Sequence, residues 1–206
     1  MGPDYLLVPE DAVDAVVAAA HRSVEAMFPT LLNNPEYSAI INERHHQRLL
    51  GYVDEARASG HTVMAINPAE EDFSHPTGSW KIPPTLIVNP SDDLRVMQEE
   101  IFGPVLPIKT YRSFDEAIGF INAQPHALAA YYFGRDAAEE ARFIAETRSG
   151  GVCINDVIFQ VTQESLPFGG VGPSGMGAYH GHQGFKTMSH AKSCLLYTSD
   201  AADDIP

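Results

Sequence analysis

The sequence predicts an α/β fold in which helices cover parallel strands. Residues 129–133, 136–147 and 151–154 alternate as strand, helix and strand. Such a unit makes a right-handed crossover, which leaves the two strands parallel and the helix packed on them. The chain has 206 residues and is 44% hydrophobic, which is enough for a substantial core.

The amino-terminal elements follow from local signals. Residues 5–8 are apolar and predict a strand. Pro9 and the two acids that follow it are typical of a helix start, and apolar residues at three- and four-residue spacing continue to about Met27. The chain therefore begins with a strand that leads into an amphipathic helix.

A second helix is predicted over residues 42–59, with Asn42 as its N-cap and Gly60 just beyond its end. A short strand follows at 62–66. Residues 67–84 carry proline, glycine and serine at close intervals without periodicity, so we expect a long surface excursion there.

Order is predicted to return with strands at 85–88 and 105–109, and with a helix that begins at a capping box on Ser113 and ends at Ala123. The last third is dense in glycine, and we expect almost no regular structure there before Leu195. The sequence shows no internal repeat and no flexible linker between domains.

Charge and composition exclude several classes of function. Thirteen basic residues face 27 acidic ones, a formal net charge of −14, which argues against nucleic acid as a partner. No apolar run approaches the about 18 residues of a membrane span, and no signal peptide is evident, so we expect a cytoplasmic protein with no membrane partner. Cys153 and Cys194 lie in no metal-binding spacing, and we expect reduced thiols.

Residues 170–175 (GVGPSG) formally match the GxGxxG fingerprint of dinucleotide-binding proteins. The segment before them contains Pro167, a second proline lies inside the motif, and no acid follows about 20 residues later. We therefore interpret the motif as a packed turn.

Thiol and imidazole groups offer two weak hypotheses. Cys153 could be a nucleophile, but its apolar neighbours favour an inert core thiol. His180, His182 and His190 lack a nearby carboxylate and the spacing of a metal site, so we expect no metal.

Asn155 and Asp156 directly follow a predicted strand. The carboxyl ends of parallel strands are where α/β proteins bind ligands, but the same residue types also cap helices and form turns. Both interpretations stay open from the residues alone.

Residues 99–104 (EEIFGP) are the most informative segment. A carboxylate and an aromatic ring are presented together ahead of a Gly-Pro turn. A carboxylate can accept both hydroxyls of a ribose, and a phenyl face can pack on a flat heterocycle. The alternative is a helix end followed by an ordinary turn.

Taken together, several segments resemble the C-terminal half of aldehyde dehydrogenases, and they occur in order and at compatible spacing over residues 2–195. Details within and after them look most like the class 3 and coniferyl aldehyde dehydrogenase branch. The segments are 99–105 (EEIFGPV), 150–156 (GGVCIND) and 166–177 (LPFGGVGPSGMG), and the details are 155–158 (NDVI), 179–181 (YHG) and 189–195 (SHAKSCL).

The resemblance implies oxidation of an aldehyde to an acid with NAD or NADP, by a cysteine thiolate, hydride transfer to the nicotinamide and a glutamate-activated water. It implies that Glu100 binds the nicotinamide ribose and that Phe102 lies beside the nicotinamide. It also implies that Asn155, Phe168 and His180 lie near the active-site cavity, and that neither Cys153 nor the GxGxxG segment is catalytic or phosphate-binding.

The same resemblance places the catalytic groups outside this chain. The family's nucleophile would fall immediately before Met1, and the Rossmann-type cofactor domain, the general-base glutamate and the oxyanion asparagine would lie further upstream. We therefore expect residues 1–195 to be an incomplete catalytic domain, inactive alone. Residues 196–206 (LYTSDAADDIP) resemble translated adapter sequence and are expected to be an artefactual or disordered tail.

The leading hypothesis is thus a fragment of an NAD(P)-dependent aldehyde dehydrogenase, whose parent is a homodimer or higher oligomer and acts on an aromatic, coniferyl-type or medium-chain aldehyde. One alternative is a non-catalytic protein that docks on a full-length homologue. A second is a thiol enzyme that uses Cys153.

Overall fold

The computed structural model describes residues 2–74 and 80–197, and the chain divides into two compact units after Ala123. The first unit contains strands β1 (Leu6–Pro9), β2 (Thr62–Ala65), β3 (Thr85–Val88) and β4 (Val105–Tyr111), and helices α1 (Val13–Met27), α2 (Glu43–Ala58), α3 (Arg95–Gln98) and α4 (Phe114–Ala123). The second contains strands β5 (Ala129–Tyr132) and β6 (Gly151–Ile154), and helices α5 (Ala137–Glu146), α6 (Phe159–Thr162) and α7 (Gly181–Thr187).

The first unit is built on a four-stranded sheet of order β1-β4-β3-β2. β4 runs parallel to both β1 and β3, as predicted, whereas β2 is antiparallel to β3. The segment between β2 and β3 contains no helix in its described residues, 66–74 and 80–84. A parallel connection needs a crossover, usually helical, and an antiparallel return does not.

Helices α1 and α2 cover the two faces of this sheet. Successive strand residues point to opposite faces, and in β3 Leu86 and Ile87 belong to different core clusters. Leu86 packs in the cluster that α1 covers, and Ile87 packs in the cluster that contains Leu49 and Val53 of α2. The predicted helix-covered sheet is confirmed.

The predicted helix starts are present, with one change of detail. The Asn42 side chain accepts a hydrogen bond from the His45 amide at 3.0 Å and caps α2. At α4, the Ser113 hydroxyl accepts from the Glu116 amide at 3.3 Å. The Glu116 carboxylate, however, accepts from the amide of Arg112 at 2.9 Å, one residue before the partner that a capping box uses.

The predicted surface excursion at 67–84 is wrong for its return half. Residues 80–84 form no helix or strand, but Ile82 is only 3% exposed. The Lys81 ammonium donates to the carbonyl oxygens of Leu31, Leu32 and Asn34 at 2.9, 3.0 and 2.6 Å. The buried Ile82 side chain and the three hydrogen bonds of Lys81 therefore hold this half of the segment against the rest of the first unit. Residues 75–79 lie outside the described residues.

The second unit contains the predicted strand, helix and strand. β5 and β6 pair in parallel, and Asp136 caps α5 by accepting from the amides of Ala138 and Glu139. The expectation of almost no regular structure before Leu195 is wrong, because α6, a 3₁₀ turn at Gly172–Ser174 and α7 lie there. Two glycines within α7 weaken the periodic signal that would have predicted this helix.

The end of the chain falls mostly outside what can be described. Leu196 and Tyr197 are exposed and irregular, and residues 198–206 of the predicted tail lie outside the described residues. Within residues 2–74 and 80–197, no helix has the length and apolar character to cross a membrane.

Candidate functional site

The turn at residues 99–103 (the 99–103 turn) presents two of the predicted site residues. It follows α3 directly, and the buried side chain of Ile101 anchors it in the core beside Val105. On either side of that anchor, Glu100 and Phe102 are exposed. The alternation puts an acid and an aromatic ring at the surface of one short, anchored segment.

The Glu100 carboxylate and the Phe102 ring are both available to a ligand. Within the described residues, the Glu100 carboxylate makes no hydrogen bond or ion pair. Phe102 is 79% exposed and has a φ of 48°, a left-handed conformation that is uncommon for an aromatic residue. Such conformations persist only where the surroundings fix them and are concentrated at functional sites.

The other acid of the segment has a structural role. The Tyr52 hydroxyl donates to Glu99 Oε2 at 2.7 Å. Burial raises the pKa of Tyr52, and the hydrogen bond to the Glu99 carboxylate raises it further. Both neighbouring glutamates are exposed, but they differ in their contacts, since the Glu99 carboxylate accepts the hydrogen bond from Tyr52 and the Glu100 carboxylate accepts none among the described residues.

Glycine completes the turn, because no side chain fits at position 103. A Cβ on Gly103 would collide with the side chain of Leu49, with 2.8 Å to its Cδ2 atom. Leu49 is fully buried in α2. Because the turn lies this close to α2, polar side chains of the helix can reach the turn's backbone.

Asn155 lies at the end of β6, as predicted. Its side-chain Oδ1 accepts from the backbone amide of Gly134 at 2.9 Å, and its backbone amide donates to the Tyr132 carbonyl at 2.7 Å. Its φ of 56° is a conformation that asparagine tolerates better than most residues. The neighbouring Asp156 carboxylate accepts from the amide of Val157 at 2.8 Å. These contacts match the turn interpretation, and a role for Asn155 beside the cavity stays a prediction.

Phe168 and His180 lie together in the second unit. Their ring centroids are 6.2 Å apart, and Tyr179 packs edge-on against both rings. Phe168 and Tyr179 exchange two backbone hydrogen bonds, of 2.8 and 2.9 Å. The buried His180 Nδ1 atom has no hydrogen-bond partner among the described residues. The structure therefore brings these two predicted residues into one aromatic group.

The GxGxxG segment is a packed turn and not a strand-to-helix junction. Its middle forms the 3₁₀ turn, and the Ser174 hydroxyl donates to the Val171 carbonyl at 3.0 Å and accepts from the Val171 amide at 2.9 Å. A Cβ on Gly170 would overlap the Ser174 carbonyl oxygen, and one on Gly169 would overlap the carbonyl oxygen of Gly177.

The remaining candidates are Cys153 and the histidines His180, His182 and His190. Cys153 is half-buried in the middle of β6, where it pairs with Tyr131 of β5. Among residues 2–74 and 80–197, no three histidine, cysteine, aspartate or glutamate side chains lie close enough together to hold a metal ion.

Arg48 and Tyr52, which no sequence motif indicated as site residues, reach the 99–103 turn from α2. Arg48 donates to the carbonyls of Glu100 and Ile101 at 2.8 and 2.7 Å. A signal was present, because Arg48 is partly buried and lies four residues before Tyr52, which belongs to the buried stripe of α2. A cation at the edge of an apolar stripe indicates that polar partners lie opposite it.

Comparisons with known proteins extend over nearly the whole chain. A probable coniferyl aldehyde dehydrogenase of Caulobacter vibrioides is 55% identical over 193 residues, which are 94% of this chain and 40% of that protein. The coniferyl aldehyde dehydrogenase of Pseudomonas sp. strain HR199 is 54% identical over 196 residues, which are 95% of this chain and 40% of that protein.

A solved structure agrees with these relatives. The substrate-bound state of Staphylococcus aureus AldH matches with a TM-score of 0.80 at 37% identity, over 96% of this chain and 42% of that one. The chain spans about 40% of the length of the curated relatives that it matches. The sequence model of the aldehyde dehydrogenase family matches residues 1–194. With the family's sequence pattern over almost its full length and the family's fold in its structure, this chain belongs to the aldehyde dehydrogenases.

Proposed function

We propose that this chain is part of a longer NAD(P)-dependent aldehyde dehydrogenase that oxidises an aldehyde to the carboxylic acid. Residues 1–195 supply part of its catalytic domain and one wall of its cofactor pocket. The family match and the 40% coverage of the relatives support this proposal. In it, the nucleophilic cysteine, the general base and the Rossmann-type cofactor domain belong to the part of the longer protein that this chain does not contain.

The observation that carries the proposal is the pairing of an unengaged carboxylate with an exposed ring on the anchored 99–103 turn. An ionised carboxylate accepts hydrogen bonds only, and it can take both vicinal hydroxyls of a ribose. A phenyl face packs on a flat heterocycle, and Phe102 has no packing partner of its own among the described aromatic pairs. The groups present therefore fit the nicotinamide ribose end of NAD(P).

Each residue then has a binding role. Bound NAD(P) supplies the hydride acceptor for aldehyde oxidation. Glu100 orients the ribose through its two hydroxyls, and Phe102 backs the nicotinamide and keeps water from that side. Holding reacting groups in a fixed geometry is a large part of the rate acceleration in hydride transfer. Phe168 and His180 contribute to the wall of the aldehyde cavity, and Asn155 lies beside it.

The proposed substrate is an aromatic aldehyde of the coniferyl type. Two relatives at 54 and 55% identity carry that name, and Phe168, Tyr179 and His180 form an aromatic group that suits a flat substrate. A medium-chain aldehyde is the competing substrate. The longer protein is proposed to be a cytoplasmic homodimer or higher oligomer.

The test is a hybrid enzyme in which this chain replaces the matching 193-residue segment of the Caulobacter vibrioides relative. We expect aldehyde-dependent formation of NADH or NADPH by the hybrid and none by the 206-residue chain alone. Comparison of a coniferyl-type aldehyde with a medium-chain aliphatic one decides the substrate class. A folded hybrid without activity, or a chain active on its own, would contradict the proposal.

Substitutions in the hybrid test the two binding residues. Glu100→Gln and Phe102→Ala are each expected to raise the KM for the cofactor about tenfold or more, because each removes a contact to it. Asp93→Asn and Ile41→Ala are matched controls, since both residues are exposed in the same unit. If Glu100→Gln and Phe102→Ala had the same cofactor KM as their control variants, Glu100 and Phe102 would not contact the cofactor.

A further inference from the structure

Arg48 connects helix α2 to the 99–103 turn through backbone atoms. Its Nη1 donates to the Glu100 carbonyl at 2.8 Å and its Nη2 to the Ile101 carbonyl at 2.7 Å. The two acceptors are consecutive, so one planar guanidinium spans one peptide step of the turn. This two-point grip suits the fixed donor geometry of arginine and cannot be reproduced by a single ammonium group.

Arg48 is itself held in place. Its Nη1 also donates to the Tyr52 hydroxyl at 2.7 Å, and that hydroxyl donates to Glu99. The guanidinium groups of Arg48 and Arg95 lie 5.2 and 5.4 Å from the centroid of the Tyr52 ring, and Tyr52 is fully buried. A ring fixed by packing thus carries the cation that fixes the turn.

The opposite side of the turn is held as well. The amide of Ile101 donates to Asp4 Oδ1 at 3.3 Å, and the Ile101 side chain is only 2% exposed. Exposed loops are ordinarily mobile, and a positive φ at Phe102 would not persist in a free one. Arg48, Asp4 and the Ile101 anchor together account for an exposed pair of residues on a fixed backbone.

We propose that Arg48, braced by Tyr52 and Glu99, is a positioning residue that fixes the backbone of the 99–103 turn, so that the Glu100 carboxylate and the Phe102 ring meet the cofactor in one geometry. Arg48 itself touches no cofactor in this scheme. The cofactor part of the inference rests on the function proposed above, whereas the fixing of the turn does not.

The fixing of the turn is tested on the full chain by NMR relaxation. Arg48→Ala and Arg48→Lys are expected to lower the order parameters of the Glu100 and Phe102 amides and to speed hydrogen exchange of the Ile101 amide about tenfold. The amide of the core residue Ile87 reports on global stability and should not change. Arg57→Ala is the control, because Arg57 lies on the same helix and, among the described residues, its side chain makes one exposed ion pair, with Asp54.

The two outcomes of this first test are distinct. Selective loosening of the turn in both Arg48 variants, with Arg57→Ala unchanged, supports the proposal. Order parameters that stay the same in Arg48→Ala, or that fall equally at Ile87, would overturn it, because Arg48 would then contribute only to general stability.

The effect on the cofactor is measured in the hybrid enzyme. Arg48→Ala should raise the KM for NAD(P) about tenfold and leave the KM for the aldehyde unchanged, and Arg48→Lys should restore little of the loss. An active hybrid in which Arg48→Ala leaves the cofactor KM unchanged would overturn the positioning role while the proposed function stands. A hybrid without any activity would instead contradict the proposed function, and the relaxation test would still decide whether Arg48 fixes the turn.

Discussion

Gly103 lies against the fully buried side chain of Leu49 so closely that no β-carbon fits between them. The contact joins the 99–103 turn to α2 through apolar atoms, next to the polar grip of Arg48. Because Leu49 is packed on all sides, it cannot move away without disturbing the core.

Gly103→Ala should therefore destabilise the chain by about 1–3 kcal/mol, the usual cost of overpacking a core. Urea unfolding of the full chain measures this difference. Gly119→Ala is the matched control, since a Cβ on that exposed residue of α4 meets nothing within 4 Å. The control should be neutral or stabilising by up to about 1 kcal/mol, because alanine favours helix. Equal changes in the free energy of unfolding would show that the Leu49 side chain can move aside at little cost, which would contradict the prediction.

The Lys81 ammonium joins residues 80–84 to the turn at residues 31–34 by three hydrogen bonds. Lys81→Met keeps the length of the side chain and removes three charge-assisted hydrogen bonds, which leaves partly buried carbonyls without a donor. We expect a loss of about 2–3 kcal/mol in the free energy of unfolding. The control is Lys192→Met at an exposed position. A loss of similar size in the control would contradict this role of Lys81.

Tyr37 gives the stability of the first unit a dependence on alkaline pH. Burial raises the pKa of its phenol, whose hydroxyl donates to the Ile82 carbonyl at 2.6 Å. A phenol with a higher pKa in the folded chain keeps its proton longer when folded. Its contribution to stability is therefore fully present below about pH 10, the ordinary pKa of tyrosine, and is lost as the pH rises further.

Tyr37→Phe should accordingly do two things. At pH 7 it should cost about 1–2 kcal/mol, because the Ile82 carbonyl loses its donor. Above pH 10 it should reduce the slope of stability against pH by up to about 1.4 kcal/mol per unit, the contribution of one proton. Unfolding free energies measured from pH 7 to 11 check both values. Parallel curves for the two proteins would show that Tyr37 titrates normally.

At Asn155 the backbone and the side chain can be separated. Asn155→Gly keeps the positive φ accessible and loses the bond to the Gly134 amide, whereas Asn155→Ala loses the bond and also strains the backbone. We expect the alanine variant to be the less stable of the two, by about 1 kcal/mol. Thermal unfolding of both proteins measures this order. The reverse order would mean that φ at this position is not constrained.

Cys153 should be dispensable for catalysis. It is half-buried in β6 opposite Tyr131, and the function proposed for the chain gives it no role. Cys153→Ala in the hybrid enzyme should change kcat by less than about twofold, as expected for a conservative change away from reacting groups. Abolished turnover in a folded variant would favour the thiol-enzyme hypothesis.

Local signals explain why so many elements could be predicted from the sequence. Asn42 and Asp136 cap helices that begin where the sequence predicts, and the apolar spacing of α1 matches its partly buried face, which packs on the sheet. In each case, a few neighbouring residues contain the whole signal. The exposed pair Glu100 and Phe102 belongs to this class, since both lie in one six-residue motif.

Long-range relationships could not be predicted in this way. The antiparallel direction of β2 is set by its pairing with β3, about 20 residues further along the chain, and Arg48 contacts carbonyls 52 and 53 residues further along it. Helix α7 was missed for a different reason, because glycine has a low helix propensity and its position there depends on tertiary contacts such as that between Thr187 and Ala178.

Backbone packed on backbone in the glycine-rich segment has a consequence for how this protein can evolve. At Gly169 and Gly170 a side chain would meet carbonyl oxygens, which cannot rotate aside as the tip of a side chain can. Six residues further on, Met176 is 99% exposed. The exposed position 176 can therefore vary freely. A substitution at 169 or 170, in contrast, is tolerated only when the opposing backbone shifts with it. Sequence change can accumulate at the exposed positions of this loop, whereas the path of its backbone is constrained by the contacts at Gly169 and Gly170.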